Sequence, residues 1–156
     1  DAGRMEQFLL PGRTLTLTLV KNSAGFNQVI NTLVGMNKTL QILIAINDLA
    51  ADGRDVSWLW DVDFEILASK EEEIRQIVCS GLRAEDIALR LKYSGFREEK
   101  IILEDSLVKA VELLESYQSS GEEVIFILPN YTLLSPIREI LVSKRISPDQ
   151  SGVISA

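Results

Sequence analysis

One segment concentrates the side chains that could do chemistry: Ala51-Asp52-Gly53-Arg54-Asp55-Val56-Ser57-Trp58-Leu59-Trp60-Asp61-Val62-Asp63-Phe64-Glu65. Five carboxylates lie within these fifteen residues, and two tryptophans flank a single residue. Three readings stand. The first is an edge strand with a solvated acidic face and a tryptophan pair in the core. The second is a cation site, although the segment lacks the ligand spacing of an EF-hand loop. In the third, one aspartate orients a histidine on another chain, as the acid of a nucleophile, imidazole and carboxylate triad does.

The rest of the inventory excludes a good deal. There is no histidine, so no Ser-His-Asp or Cys-His nucleophile can be assembled within this chain. A single cysteine, Cys79, forms no intrachain disulfide and no thiolate metal site. At a strand end with no histidine beside it, Cys79 reads as a small buried hydrophobe. No G-x-x-x-x-G-K-[ST] occurs, so the chain carries no ATP cradle of its own. Gly81-Leu82-Arg83 could present helix amides to an anion but is not a phosphate loop. Any chemistry served here must therefore be completed by other polypeptide.

These groups need elements to position them. Residues 14–20 alternate and are β-rich, so they read as a strand. Asn22 and Ser23 offer caps for a helix over 24–36, with Val29, Ile30, Leu33 and Val34 on its buried face. Residues 40–46 form an apolar run, as in a strand covered on both faces. A polar stretch over 47–57 follows, and then a third strand over 58–66. Residues 68–73 read as a short helix or loop, and 75–79 as a fourth strand. Helical spacing over 83–94 places Ile87 and Leu91 inward, with Gly95 as the capping glycine. A short strand over 100–103 precedes a helix capped by Asp105 and running to about Tyr117. A last strand over 123–128 and a last helix to about Val142 complete the set.

Strands alternating with helices predict an α/β fold: a three-layer, Rossmann-like domain with a mostly parallel sheet of about six strands and helices on both faces. The predicted division is a hinge or linker over 1–13, the α/β domain over 14–143 and a mobile tail over 144–156. The chain has 156 residues, 46% apolar and 25% charged, the balance of one globular domain. A net charge of −7 argues against a nucleic-acid partner. Apolar runs such as 124–128 are too short to cross a bilayer, and the start shows no signal-peptide core. The single cysteine suits a cytoplasmic setting. The start without methionine reads as a piece of a longer chain.

In an open α/β sheet, ligands gather beyond the carboxyl ends of the strands. The predicted ends are Lys21-Asn22, Asn47-Asp48, residues 61–65, Ser80-Gly81, Glu104-Asp105 and Asn130-Tyr131-Thr132. Lys21 could contact an anion. The plain reading is that caps and loops are polar in every such fold.

Several of these stretches resemble one family. Lys21-Asn22-Ser23-Ala24-Gly25-Phe26-Asn27-Gln28 resembles the K-N-P-A-G-x-N-Q element of the MurT family, with Ser23 in place of proline. Asn47-Asp48, followed by the run from Ala51 to Asp61, resembles its N-D-x-x-A-D-G-x-D-x-S-W-I-W-D stretch. The run from Ser80 to Tyr93 and the pair Tyr131-Thr132 also fit, and Gly3-Arg4-Met5-Glu6 resembles the hinge entering the C-terminal domain of Mur ligases. The resemblance implies a Mur-ligase-like subunit of a lipid II isoglutaminyl synthase. In that family ATP, with Mg2+, activates the α-carboxyl of D-isoglutamate in the stem peptide of lipid II, at the inner membrane face. Ammonia comes from a glutamine amidotransferase partner, GatD. The ATP cradle belongs to a central domain, so tight binding of ATP by this domain alone is not expected. The C-terminal domain closes over the nucleotide and contacts GatD, and one of its aspartates is thought to complete a triad whose cysteine and histidine belong to GatD. For that acid the order of preference is Asp61, beside the tryptophans, then Asp55, then Asp52. Lys21, Asn22, Asn47 and Asp48 are the expected nucleotide contacts, and Asn130, Tyr131 and Thr132 the expected substrate contacts. The alternative is a non-catalytic module that only recruits the amidotransferase; a third reading is a stand-alone ligand-binding or regulatory α/β domain.

Overall fold

The computed structural model describes residues 5–10, 13–116 and 122–144. Among these residues six strands form one sheet: β1 (Met5–Leu10), β2 (Arg13–Thr18), β3 (Thr39–Ala45), β4 (Ile74–Ser80), β5 (Ile101–Leu103) and β6 (Glu123–Pro129). Their order across the sheet is β1-β2-β6-β3-β4-β5. Only the β1–β2 pair is antiparallel; the other neighbours run parallel.

Among the described residues five α-helices cover the sheet: α1 (Ser23–Val34), α2 (Phe64–Ala68), α3 (Ala84–Tyr93), α4 (Leu107–Glu115) and α5 (Tyr131–Ser143). Strand side chains alternate between two apolar layers, as the period of two requires. Val124, Phe126 and Leu128 of β6 join Ile30 of α1, Phe64 of α2 and Ile87 of α3 in one layer. Ile125 and Ile127 join Val111 of α4 and Ile137 of α5 in the other. The predicted three-layer α/β fold is the observed one.

Three local expectations change. The linker expected over 1–13 contains strand β1, which pairs with β2 throughout its length. Phe8 of β1 is fully buried in the layer shared with α5, and the Glu6 carboxylate accepts from Arg138 Nε at 2.9 Å on that helix. A ladder plus one buried ring fixes the segment to the sheet.

The third strand expected over 58–66 does not form. Residues Ser57–Asp61 make a 3-10 turn, and α2 follows. Val56, Leu59 and Val62 recur every third residue and all three are buried, which is the period of a 3-10 helix and not of a strand. The flanking strands β3 and β4 pair directly with each other, so no strand from this segment lies between them.

Helix α4 is capped by Ser106, whose hydroxyl accepts from Lys109 N at 3.2 Å, and not by Asp105. Its expected end at Tyr117 lies outside the described residues, as does all of the expected tail except Lys144.

Candidate functional site

The carboxyl ends of β3, β4 and β6 are tied together by amide side chains. Asn47, just past β3, donates its backbone N–H to Asn130 Oδ1 at 3.0 Å. Asn130, just past β6, returns the bond from Nδ2 to the Asn47 carbonyl at 2.7 Å. Asn47 Oδ1 accepts from Leu82 N at 2.9 Å, and its Nδ2 donates to Thr132 Oγ1 at 3.1 Å. Both asparagines are buried. Strand ends leave backbone groups without ladder partners, and here side-chain amides supply them.

Gly81 makes this closeness feasible between β4 and α3. It sits at φ +85°, and a Cβ there would lie 2.5 Å from the Ile46 carbonyl oxygen. Glycine tolerates both conditions and other residues do not.

Asp52 belongs to the same lattice. Its carboxylate accepts from Thr132 N at 2.9 Å and Thr132 Oγ1 at 2.7 Å, and from Leu49 N at 3.2 Å. Both oxygens are thus occupied by the start of α5 and by the loop after β3.

The acidic turn next to this lattice is more open. Asp55 is exposed, and its Oδ1 accepts from Ser57 N at 2.8 Å. That backbone hydrogen bond, helped by the Ser57 hydroxyl, holds the Asp55 carboxyl below its usual range. Asp55 lines a shallow pocket of about 240 Å³ with Arg54, Ser57, Trp60, Arg83 and Asp86. Arg83 forms ion pairs there with Asp86 at 2.9 Å and with Asp48 at 3.5 Å. Asp61, at the far end of the turn, is exposed and makes no hydrogen bond or ion pair to the described residues.

The tryptophans separate instead of sharing a face. Trp58 packs on Phe26 of α1, with ring centroids 6.4 Å apart. Trp60 is half exposed and leans on Tyr93 of α3 at 5.8 Å. The two rings therefore do not flank Asp61 together, because the backbone there turns with a period of three.

The remaining expected contacts divide in two. Lys21 is exposed with no ion-pair partner among the described residues, and Tyr131 is also exposed. Asn22 is used as the cap of α1, accepting from Gly25 N at 2.8 Å. Asn47, Asn130 and Thr132 are committed to the lattice. Among the described residues no three His, Cys, Asp or Glu side chains gather in a group that could hold a metal ion.

One residue at this site escaped the sequence reading. Arg90 of α3 is almost fully buried, and its guanidinium donates to the carbonyls of Leu59 and Val62 in the acidic turn. The readable signal was an arginine beside Leu91, three residues after Ile87, on the inward face of a helix.

Residues 19–134 match the profile of the MurT ligase C-terminal family. The chain belongs to that family. It is 37% identical over 141 residues to the lipid II isoglutaminyl synthase (glutamine-hydrolyzing) subunit MurT of Staphylococcus aureus (strain COL), an alignment covering 90% of this chain and 31% of the relative. The subunit of the same name from Streptococcus pneumoniae (strain ATCC BAA-255 / R6) is 33% identical over 144 residues, covering 92% of this chain and 31% of the relative. The chain thus spans about a third of the length of these relatives. Among solved structures, folylpolyglutamate synthase from Thermotoga maritima superposes with a TM-score of 0.59 at 15% identity, covering 94% of this chain and 32% of that one. UDP-N-acetylmuramate-alanine ligase MurC from the same organism gives 0.52 at 10% identity, covering 85% and 27%. Those two likenesses establish a shared Mur-ligase-type fold. In this MurT C-terminal domain the acidic turn, the amide lattice and α3 meet at one corner of the carboxyl edge. No helix among the described residues is long and apolar enough to cross a membrane.

Proposed function

We propose that this domain is the C-terminal part of the ligase subunit of a glutamine-dependent amide ligase that amidates the D-isoglutamate α-carboxyl of lipid II, at the cytoplasmic membrane face. In this reading ATP and Mg2+ are held mainly by an upstream domain, and ammonia is supplied by a GatD-type amidotransferase subunit. The domain contributes a closing surface and one aspartate to the partner's cysteine–histidine pair. Lys21 is the group here that would meet nucleotide phosphate, while Asn22, Asn47, Asn130 and Thr132 shape the edge through their internal bonds.

The observation that carries the reading is Asp55. A lent acid must be ionised, oriented and still able to accept from an imidazole N–H. Ser57 orients the Asp55 carboxylate through its N–H on Oδ1, helped by its hydroxyl, and the carboxylate stays exposed where it lines an open pocket. Asp61 is free but unheld, and Asp52 is held at both oxygens, so in this reading Asp55 ranks ahead of Asp61, with Asp52 last. The carboxylate would fix the partner's imidazole in one tautomer and stabilise its protonated form while the thiolate attacks glutamine.

The test is glutamine hydrolysis by the full-length complex. Asp55→Asn is expected to lower kcat by roughly two to four orders of magnitude, with the complex still assembled. Normal hydrolysis in Asp55→Asn, Asp61→Asn and Asp52→Asn, with assembly intact, would leave the recruiting-module reading in its place; the exposed Trp60–Tyr93 pair favours that second reading. Lys21→Ala should raise the KM for ATP, and unchanged ATP kinetics would remove Lys21 from the nucleotide edge.

A further inference from the structure

A buried arginine is an unfavourable way to fill space. Its guanidinium must leave water, and an apolar side chain would pack the same position without that cost. Arg90 nevertheless sits on the inward face of α3, 3% exposed. What its planar fork does there is specific. Nε donates to the Leu59 carbonyl at 2.9 Å, and Nη2 to the Val62 carbonyl at 2.6 Å. The outer edge of the fork takes the Glu65 carboxylate in bidentate fashion, Nη1 to Oε2 at 3.0 Å and Nη2 to Oε1 at 2.9 Å. The guanidinium carbon lies 5.3 Å from the ring centroids of both Trp60 and Phe64.

The two carbonyls bracket Trp60 and Asp61. Leu59 is itself tied to Val56 by a backbone bond of 3.1 Å, and Ser57, inside that turn, donates the N–H that orients Asp55. Trp60, packed against the guanidinium, also lines the Asp55 pocket. A short run of backbone bonds therefore connects a rigid helix to the exposed acids. An ammonium cannot reproduce this fork, because it is a point charge without the planar, bidentate geometry.

We propose that Arg90 is a positioning residue: it clamps the acidic turn to α3 and so sets where the lent aspartate meets the partner's imidazole. This rests on the lent-acid reading above. Arg90 touches no reacting atom; it acts through the turn.

The experiment uses the full-length subunit in complex with its amidotransferase partner and compares two routes to the same amide, one from glutamine and one from added ammonium chloride. Arg90→Lys keeps the charge and removes the fork. Its expected signature is a drop of about tenfold or more in kcat for glutamine hydrolysis, with the KM for glutamine, the affinity of the complex and the ammonium-driven rate unchanged, since a misplaced acid affects only the triad. Wild-type hydrolysis by Arg90→Lys overturns the proposal. So does an equal loss on both routes, which would mark Arg90 as merely structural. If Arg90→Lys does not fold, Glu65→Gln takes its place, loosening the outer edge of the fork from a half-exposed position. A smaller loss confined to the glutamine route is then expected, and no loss overturns the proposal. Asp55→Asn, Asp61→Asn and Asp52→Asn run alongside: if none affects hydrolysis, the lent-acid reading itself fails, whereas if one does and Arg90→Lys does not, only the positioning role fails.

Discussion

Asp52 and Thr132 are eighty residues apart in sequence and joined by two hydrogen bonds, from the Thr132 backbone N–H at 2.9 Å and from its hydroxyl at 2.7 Å. The carboxylate acts as a cap supplied from outside the helix, meeting an amide in the first turn of α5, where a negative charge is favoured. Asp52→Ala should cost about 1–2 kcal/mol of stability, a few degrees in Tm. Glutamine hydrolysis by the assembled complex should stay within about twofold of wild type below the transition. A large loss of hydrolysis at unchanged Tm would return Asp52 to the front of the candidates for the lent acid.

Asn130→Ala should be more damaging. It strips partners from both the buried N–H and the buried C=O of Asn47, and each unmet group costs about 1–3 kcal/mol. The expected loss is roughly 3 kcal/mol, read from denaturant midpoints. A change under about 1 kcal/mol would mean that the strand ends find other partners and that the lattice is not what holds the edge together.

Cys79 offers a probe of opening. It is buried in β4, and burial pushes its thiol up to about 12. At pH 8 the native domain should resist alkylation by iodoacetamide, and labelling should become fast only once urea unfolds the chain. Rapid labelling without denaturant would place β4 among the regions that open locally.

The Asp55 carboxyl has a depressed folded-state value, mainly through the Ser57 backbone N–H. A depressed acid contributes its stabilisation above its unfolded value and loses it as pH falls through the lower folded one. The relevant window therefore lies below the ordinary 3.8, and Asp55 should be fully ionised throughout the neutral range. Carbon-detected NMR titration of the side chain should show its midpoint under 3.8. Ser57→Pro, which deletes the N–H, should move that midpoint upward; no movement would detach Asp55 from Ser57.

The layers were legible because burial writes a period into the chain. The apolar run of β3, the alternation of β2 and the inward stripes of α1 and α3 each match their element within a few residues. The Asn22 cap was equally readable, since an N-cap asparagine acts on an amide three residues away. The acidic turn was misread because two tryptophans at a spacing of two mimic a strand, while Val56, Leu59 and Val62 carry a competing period of three. Strand β1 was missed because its anchors, Phe8 against the far layer and Glu6 on Arg138, lie across the fold.

The sequence by itself determined the α/β class and the family, and it excluded a histidine-based triad built within these residues, since residue types absent from a chain stay absent however it folds. It also placed the acids in one segment. Tertiary structure alone decided which of them is available. Asp52 is consumed by Thr132, Asp55 is held by Ser57, Asp61 is left free, and Arg90 grips the turn on either side of Asp61. Those outcomes depend on carbonyls and amides contributed from distant parts of the chain, and a hydrogen bond is decided by where its two ends meet in space.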